Sequence, residues 1–218
     1  INFLKSVRNM LAGSAGGVNM TVKWDGAPAI VCGVNPENGK FFVGTKSVFN
    51  KTPKINYSTS DIRKNHDGEV AKKLQVCLAN LSRLNIKGIL QGDLLFTDDL
   101  KVINIDGEKM ISFTPNTITY AVPVDSDIGK RIAKARMGIV FHTSYSGKTM
   151  NSLSASFGTV RGSGNRNVFL ASAGYKETAV MFNKRELSRF DAQIRMAEGS
   201  LSKAAPILDL MSKTSSDQ

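Results

Sequence analysis

Ala29-Ile30-Val31-Cys32-Gly33-Val34-Asn35-Pro36-Glu37-Asn38-Gly39-Lys40-Phe41-Phe42-Val43 is the stretch that sets the class of fold. Residues 29–34 and 40–43 are short runs of apolar, β-branched and aromatic side chains. Residues 35–39 between them are turn chemistry, since Asn38-Gly39 accepts the positive φ that a tight reversal demands. The segment reads as an antiparallel hairpin. Towards the C-terminus the same alternation recurs: residues 89–96, 101–105, 110–113, 118–122 and 138–142 read as strands, with Asp98-Asp99 reversing the chain between the first two. On the N-terminal side residues 20–24 read as a further strand, with Val22 and Trp24 on one face and Thr21, Lys23 and Asp25 on the other.

Helical spacing occupies the flanks. Residues 2–12 carry Phe3, Leu4, Val7, Met10 and Leu11, an apolar stripe expected to face the body of the protein and to end at Gly13, Gly16 and Gly17. Residues 67–84 place Val70, Leu74, Cys77, Leu78 and Leu81 on one side of a helix. A short basic helix is expected between residues 126 and 137, and two more over 186–198 and 202–211, after a late strand at 179–182. Residues 48–67 are polar, Lys-rich and broken by Pro53, which reads as a solvent-facing loop or lid. Residues 144–172 are rich in Ser, Gly and Thr around Arg161-Gly162-Ser163-Gly164-Asn165-Arg166 and read as a flexible surface segment. Strands outnumber helices in the middle of the chain. The architecture is therefore expected to be α+β, antiparallel sheets with flanking helices, rather than a doubly wound sheet. The expected organisation is one domain over 1–190 and a C-terminal helical appendage with a frayed tail over 191–218.

With 218 residues, 41% of them hydrophobic, the chain can bury an ordinary core. Its formal charge of +11, from 29 basic and 18 acidic residues, favours an anionic partner. The two cysteines, Cys32 and Cys77, lie in apolar runs and are expected to be reduced and buried, which fits an intracellular compartment. With His66 and His142 as the only histidines, neither a disulfide framework nor a Cys/His metal site can be assembled. No apolar run is long enough for a bilayer span, so no membrane partner is expected. The chain opens on Ile1, as expected of a processed product or the interior of a longer one.

Three segments carry residues suited to chemistry. In Lys23-Trp24-Asp25-Gly26 a lysine precedes an Asp-Gly turn. A lysine amine becomes a nucleophile where an apolar cleft or neighbouring cations lower its pKa, and Trp24, Ala27 and Pro28 supply apolar material. Gly26 would let the backbone approach a phosphate closely. The same four residues also describe a strand end entering a turn. Gly44-Thr45-Lys46-Ser47 follows the second arm of the hairpin, so Lys46 can return close to Lys23. Leu90-Gln91-Gly92-Asp93-Leu94-Leu95 sets a carboxylate in an apolar strand, where it needs a lysine, a ribose or a divalent metal as partner, or sits at the strand edge as a turn residue. His142 follows an apolar strand and could serve as a general base, but Thr143 and Ser144 do not supply the rest of a triad, and it reads rather as a partly buried structural histidine. Lys51, Lys54, Arg63 and Lys64 in the lid, Lys130, Arg131, Lys134 and Arg136 on the short helix, and Arg161 and Arg166 are the candidate phosphate contacts.

Together these segments, over roughly residues 20–145, resemble the nucleotidyltransferase domain of the covalent ligase and capping enzyme superfamily, in particular the phage-type ATP-dependent RNA and DNA ligases. The resemblance implies a ligase-like, ATP-grasp-like fold in which Lys23 takes up the adenylyl group of ATP. Lys23, Asp25 and Asp93 are then the catalytic candidates. Gly26, Lys46, Asp93, Phe113 and Lys148 join Lys23 in holding the nucleotide, with Lys46 on ribose or phosphate and Phe113, or else Tyr120, stacked on the base. Asp93 stands where the family has glutamate and would be the ligand for Mg²⁺. Gly138-Ile139-Val140-Phe141 is similar to the family's Glu-Gly-hydrophobic strand, with Met137 in place of its glutamate and Glu177 a possible substitute. The final Lys-x-Lys pair is absent, leaving Lys148, Lys176 and Lys184 as solitary replacements. The implied partners are RNA or DNA ends and, for a phage protein, other structural proteins; the implied location is the host cytoplasm during infection or the packaged virion. The alternative is a catalytically inactive virion or nucleic-acid-binding protein on the same fold.

Overall fold

The computed structural model describes residues 1–13, 22–157, 164–174 and 181–214, with side-chain packing as far as residue 207. The chain forms two compact units, Thr21–Tyr175 and the pairing of Ile1–Met20 with Lys176–Gln218. This division falls at a different place from the 190/191 boundary that the sequence suggests.

In the terminal unit, α1 (Asn2–Leu11) packs with the 31-residue α5 (Lys184–Thr214). Arg8 forks onto the Asp191 carboxylate at 2.9 and 3.0 Å, Lys5 meets Glu198 at 2.6 Å, and the Phe182 amide donates to Leu11 O at 2.8 Å. The stripe on α1 therefore has α5 as its neighbour within this unit, with Phe3 left 69% exposed. The two expected C-terminal helices are one, running unbroken through Gly199. Of the expected strand at 179–182, residues 179 and 180 lie outside the described residues, and 181–182 form no strand.

The larger unit contains β1 (Ala29–Val34), β2 (Phe41–Gly44), α2 (Thr59–Asn65), α3 (Gly68–Leu81), β3 (Ile89–Phe96), β4 (Lys101–Ile105), β5 (Glu108–Phe113), β6 (Tyr120–Pro123), α4 (Asp127–Lys134), β7 (Met137–Ser146), β8 (Ser154–Phe157) and β9 (Val168–Ala171). The hairpin forms as expected: β1 and β2 pair antiparallel, Gly39 takes φ +68°, and its amide donates to Asn35 O at 2.8 Å. One sheet runs β2-β1-β3-β7-β8, with β9 parallel to the first half of β7; β4-β5-β6 form a second, antiparallel sheet. Among the described residues the fold is thus mixed α+β, antiparallel but for one parallel pairing.

Both faces of the central strands are covered. On one face α3 contributes Leu74, Cys77 and Leu81 to a core with Ile30, Cys32, Leu94, Met137 and Ile139. On the other, Ile111 and Phe113 of β5 and Ile132 of α4 meet Leu95, Phe96, Val140 and Ala171. Double-sided burial is why Leu94-Leu95-Phe96 and Ile139-Val140-Phe141 are continuous apolar runs instead of alternating ones. Cys32 and Cys77 are free and fully buried, and burial pushes the Cys77 thiol up to about 12.

Three expectations are corrected. Residues 22–26 are not strand; residues 20 and 21 of that expected element lie outside the described residues. Residues 48–67 are not a lid but contain α2 and part of a 3₁₀ turn (Lys46–Phe49), and Val48, Asn56 and Ile62 are buried. Residues 144–172 are not a surface segment alone, since among the described residues they include the end of β7, β8 and β9; residues 158–163, with Arg161, Gly162 and Ser163, lie outside the described residues.

Gly92 sits at the middle of the β3–β7 pairing, opposite Phe141. A Cβ there would run into the Val140 carbonyl oxygen, with Phe141 Cα only 2.9 Å away. Backbone atoms cannot swing aside as a side chain can. Gly92→Ala is therefore expected to destabilise the unit by about 3 kcal/mol, the upper end for overpacking, measured as a lowered urea midpoint at unchanged slope.

Candidate functional site

The Lys23-Trp24-Asp25-Gly26 segment is laid across the edge of the second core by tertiary hydrogen bonds. The Val22 amide donates to Ala173 O at 2.8 Å, and Trp24 Nε1–H to Ser172 O at 3.2 Å. The Trp24 ring rests 5.0 Å from that of Tyr120. Beyond it, the Ala27 amide donates to Leu94 O at 3.0 Å and the Leu94 amide to Pro28 O at 3.2 Å, so the segment enters β1 already bonded to β3. Gly26 is needed for close approach, but to β3: a Cβ on it would lie 2.5 Å from Asp93 Cβ and 2.9 Å from Leu94 O.

Asp93 is the centre of the arrangement. Its side chain is 22% exposed, and His142 Nε2 stands 3.6 Å from Oδ2. Burial raises the Asp93 carboxyl above its ordinary range, opposed in turn by the charges of His142, Lys46 and Lys23. Lys23, from the segment before β1, and Lys46, from the turn after β2, are both solvent-exposed and both act on this one carboxylate. Of the sequence-derived candidates, Lys23, Gly26, Lys46 and Asp93 are thus brought together.

His142 completes the group, and the residue pattern, which offered it as a general base or a structural histidine, did not pair it with Asp93. Across β3 and β7, Gln91 pairs with Thr143 and Gly92 with Phe141, which leaves His142 as the unpaired residue of a β-bulge. A bulge re-aims the side chain it carries. Its Nδ1 contacts Thr143 Oγ1 at 2.8 Å, leaving Nε2 towards Asp93. The apolar run before His142 could not disclose this, because the bulge exists only in the register of two distant strands.

The raised Asp93 pKa carries a sign. The folded state holds this proton more tightly than the unfolded chain, so stability is lost as pH rises from the ordinary carboxylate value of about 3.9 through the raised folded one. Asp93→Asn removes that loss. Its Tm is expected to exceed the wild type's at pH 7 and to match it near pH 3, below both values, as thermal unfolding at the two pH values would register.

The remaining candidates are placed elsewhere. Asp25 accepts from Asn116 Nδ2 at 2.9 Å and from the Thr117 and Ile118 amides at 2.7 and 2.8 Å, while its own amide donates to the Tyr120 hydroxyl at 2.8 Å. Those donors, Asn116 foremost, hold its carboxyl below the usual range. Asp25 clasps the β5–β6 loop to the segment. Phe113 is 3% exposed, packed 5.1 Å from Phe96 and 5.4 Å from Tyr120, so it is a core side chain rather than an open platform for a base. Tyr120 is likewise held between Phe113 and Trp24. Lys148 is exposed beyond the end of β7 and is not among the charges acting on Asp93. Met137 is fully buried at the start of β7. Lys184 begins α5 in the other unit, and Lys176 and Glu177 lie outside the described residues. Among the described residues no three His, Cys, Asp or Glu side chains gather as a metal cage, and no helix is long and apolar enough to cross a membrane.

Fold and site together define an α+β protein with one mostly buried carboxylate that faces His142 and on which the charges of Lys23 and Lys46 act. The chain belongs to the family described as a family of unknown function (DUF6267), which it matches over residues 1–218. No curated protein and no solved structure matches it.

Proposed function

We propose that the larger unit is a ligase-like, ATP-grasp-like nucleotidyltransferase that binds ATP at the Asp93 cluster and transfers the adenylyl group to Lys23. The observation that carries this reading is that the segment of Lys23 abuts Asp93 through Gly26, that Lys46 follows Gly44, which the register sets across β1 from Gln91, and that both lysine charges act on Asp93. Two exposed cations flanking a mostly buried carboxylate suit a triphosphate, whose charge the lysines meet and whose ribose hydroxyls Asp93 accepts. In the step itself the solvent-exposed Lys23 amine, its proton passed to water, attacks the α-phosphorus. The P–N bond forms as the P–O bond to pyrophosphate breaks, and Lys46 steadies the charge that leaves. The lysyl-AMP then passes its adenylyl group to the 5′-phosphate of an RNA or DNA end.

Asp93 is a single carboxylate, so it fits Mg²⁺ only in company with nucleotide phosphates and water, the usual coordination of that ion. Bound there, Mg²⁺ would neutralise charge on the departing pyrophosphate. The buried Met137 and Phe113 favour a second reading, a catalytically inactive nucleic-acid-binding or virion protein of a phage on the same scaffold. On either reading the chain works in the host cytoplasm during infection or travels in the particle.

Incubation with α-labelled ATP or GTP and Mg²⁺, followed by denaturing electrophoresis, separates the two. Covalent label on the wild-type chain supports the transferase. A folded protein that stays unlabelled with both nucleotides yet retains single-stranded oligonucleotides supports the binder.

A further inference from the structure

A second basic site lies apart from the Asp93 cluster. α4 is capped at its start by Ser126, whose hydroxyl accepts the Gly129 amide at 3.0 Å, and is pinned to the core by Ile132. Arg131 and Lys134, three residues apart, therefore lie on neighbouring turns of a fixed helix. Arg166 comes from the turn before β9, and that turn is tied to the end of α4. The Asn167 carbonyl accepts the Arg136 amide at 2.8 Å and the Met137 amide at 3.2 Å, while Asn165 Oδ1 accepts the Asn167 and Val168 amides at 2.9 and 3.0 Å. The result is a half-open cavity of about 440 Å³ lined by Arg131, Lys134, Asn165, Arg166, Val168 and Phe169.

Three features of this cavity select its ligand. Among the described residues, none of its three cations is paired with a carboxylate, so an anion from outside meets their charge uncompensated. Its volume is several times that of a phosphate group and falls in the range that holds a whole small ligand. Its apolar wall is aromatic: the Arg131 guanidinium lies over the Phe169 ring at 5.5 Å, and a guanidinium stacked on one ring offers its other face to a base. Asn165 adds an amide that can meet a base edge or phosphate oxygen. The register sets Phe169 beside Gly138 on β7 and Asp93 beside Val140, so the cavity is two strands from the Asp93 cluster and has its own residues.

We propose that this cavity binds a nucleotide unit of a single-stranded nucleic acid, its phosphate held by Arg131, Lys134 and Arg166 and its base against the Arg131–Phe169 stack. This goes beyond nucleotidyl transfer and holds whether or not Lys23 is a nucleophile. Such binding is insensitive to sequence, since every base has a π-face and every nucleotide a phosphate.

The test is fluorescence anisotropy of a labelled, 5′-phosphorylated oligothymidylate on the full chain across a salt series. The variant R131Q/K134Q/R166Q is compared with K87Q/K101Q/K109Q, which removes the same charge from exposed positions outside the cavity. The cavity variant is expected to bind at least about 10-fold more weakly, and its log–log salt dependence to be shallower by about 0.7, the value for the one single-strand phosphate that the protein no longer neutralises. The control variant is expected to lose much less. Phe169→Leu, with its folding checked by thermal unfolding, is expected to weaken binding while keeping the salt slope. Equal losses in the two triple variants would overturn the proposal, since net charge would then explain binding. So would a cavity variant that keeps oligonucleotide affinity and loses only adsorption to phosphatidylserine vesicles.

Discussion

Lys23→Ala is expected to take up no label from α-labelled ATP, a complete loss against a labelled wild type, while unfolding within about 0.5 kcal/mol of it. The second half of that expectation follows from exposure: Lys23 is solvent-facing and none of the hydrogen bonds that anchor its segment comes from its side chain. Those bonds come from the Val22, Asp25 and Ala27 amides, the Trp24 indole and the Asp25 carboxylate, all of which survive the substitution. The first half follows from chemistry, because the P–N bond needs a lone pair that alanine lacks. Lys23→Arg sharpens the test. Arginine keeps a positive charge beside Asp93 but remains protonated at any working pH, so it offers no nucleophile. That variant is expected to bind nucleotide and stay unlabelled. A labelled Lys23→Arg protein would move the nucleophile to another residue and end the assignment.

Met137→Glu is expected to destabilise the larger unit by about 3–5 kcal/mol, the range for a buried charge without a partner. The resemblance puts a glutamate at this position, so the substitution looks like a restoration. The structure gives the opposite expectation. Met137 has no solvent exposure, opens β7 opposite Val168 of β9, and packs in the core that α3 covers. Nothing in that core offers a cation, and a carboxylate placed there must stay desolvated, take up a proton or tear the strand away. Met137→Leu, which conserves volume and polarity, is expected to remain within about 1.5 kcal/mol of the wild type. Urea unfolding of both variants measures the contrast. A Met137→Glu protein as stable as the wild type and more readily labelled would show that this strand end opens to the nucleotide.

How much of this was legible in the residues depended on whether local or distant partners decided the outcome. The β1–β2 hairpin was legible because its turn, Asn38-Gly39, and both its strands are close neighbours in the chain. α3 was legible because its apolar positions repeat along one chain segment. Residues 48–67 misled because their polarity is real but serves the interior. Asn56 is buried and bridges Val43 of β2 through its backbone, while its Nδ2 donates to Val43 O at 2.9 Å and its Oδ1 accepts from Asn65 at 2.9 Å. Residues 20–24 misled in the opposite way. Their alternation suits a strand, but the polar partners of 22–25 are Ser172, Ala173, Tyr120 and the 116–118 loop, none of them a neighbouring strand in register.

The site divides along the same line. Lys23, Gly26, Lys46 and Asp93 could be picked out by type and spacing, and Phe113 by position, but burial alone assigned Phe113 to the core and hydrogen bonding alone made Asp25 a clasp. His142 and the Arg131–Lys134–Arg166 cavity depended on neighbours absent from any local pattern. By itself the sequence determined the strand-rich class of the fold, its hairpin, its central helix and the side chains able to meet phosphate, because short-range turn chemistry and periodicity encode these. Which of those side chains share a surface was decided only in three dimensions, by strand register, one β-bulge and the seating of α4 against β9. Each of these rests on hydrogen bonds and packing between residues far apart in the chain.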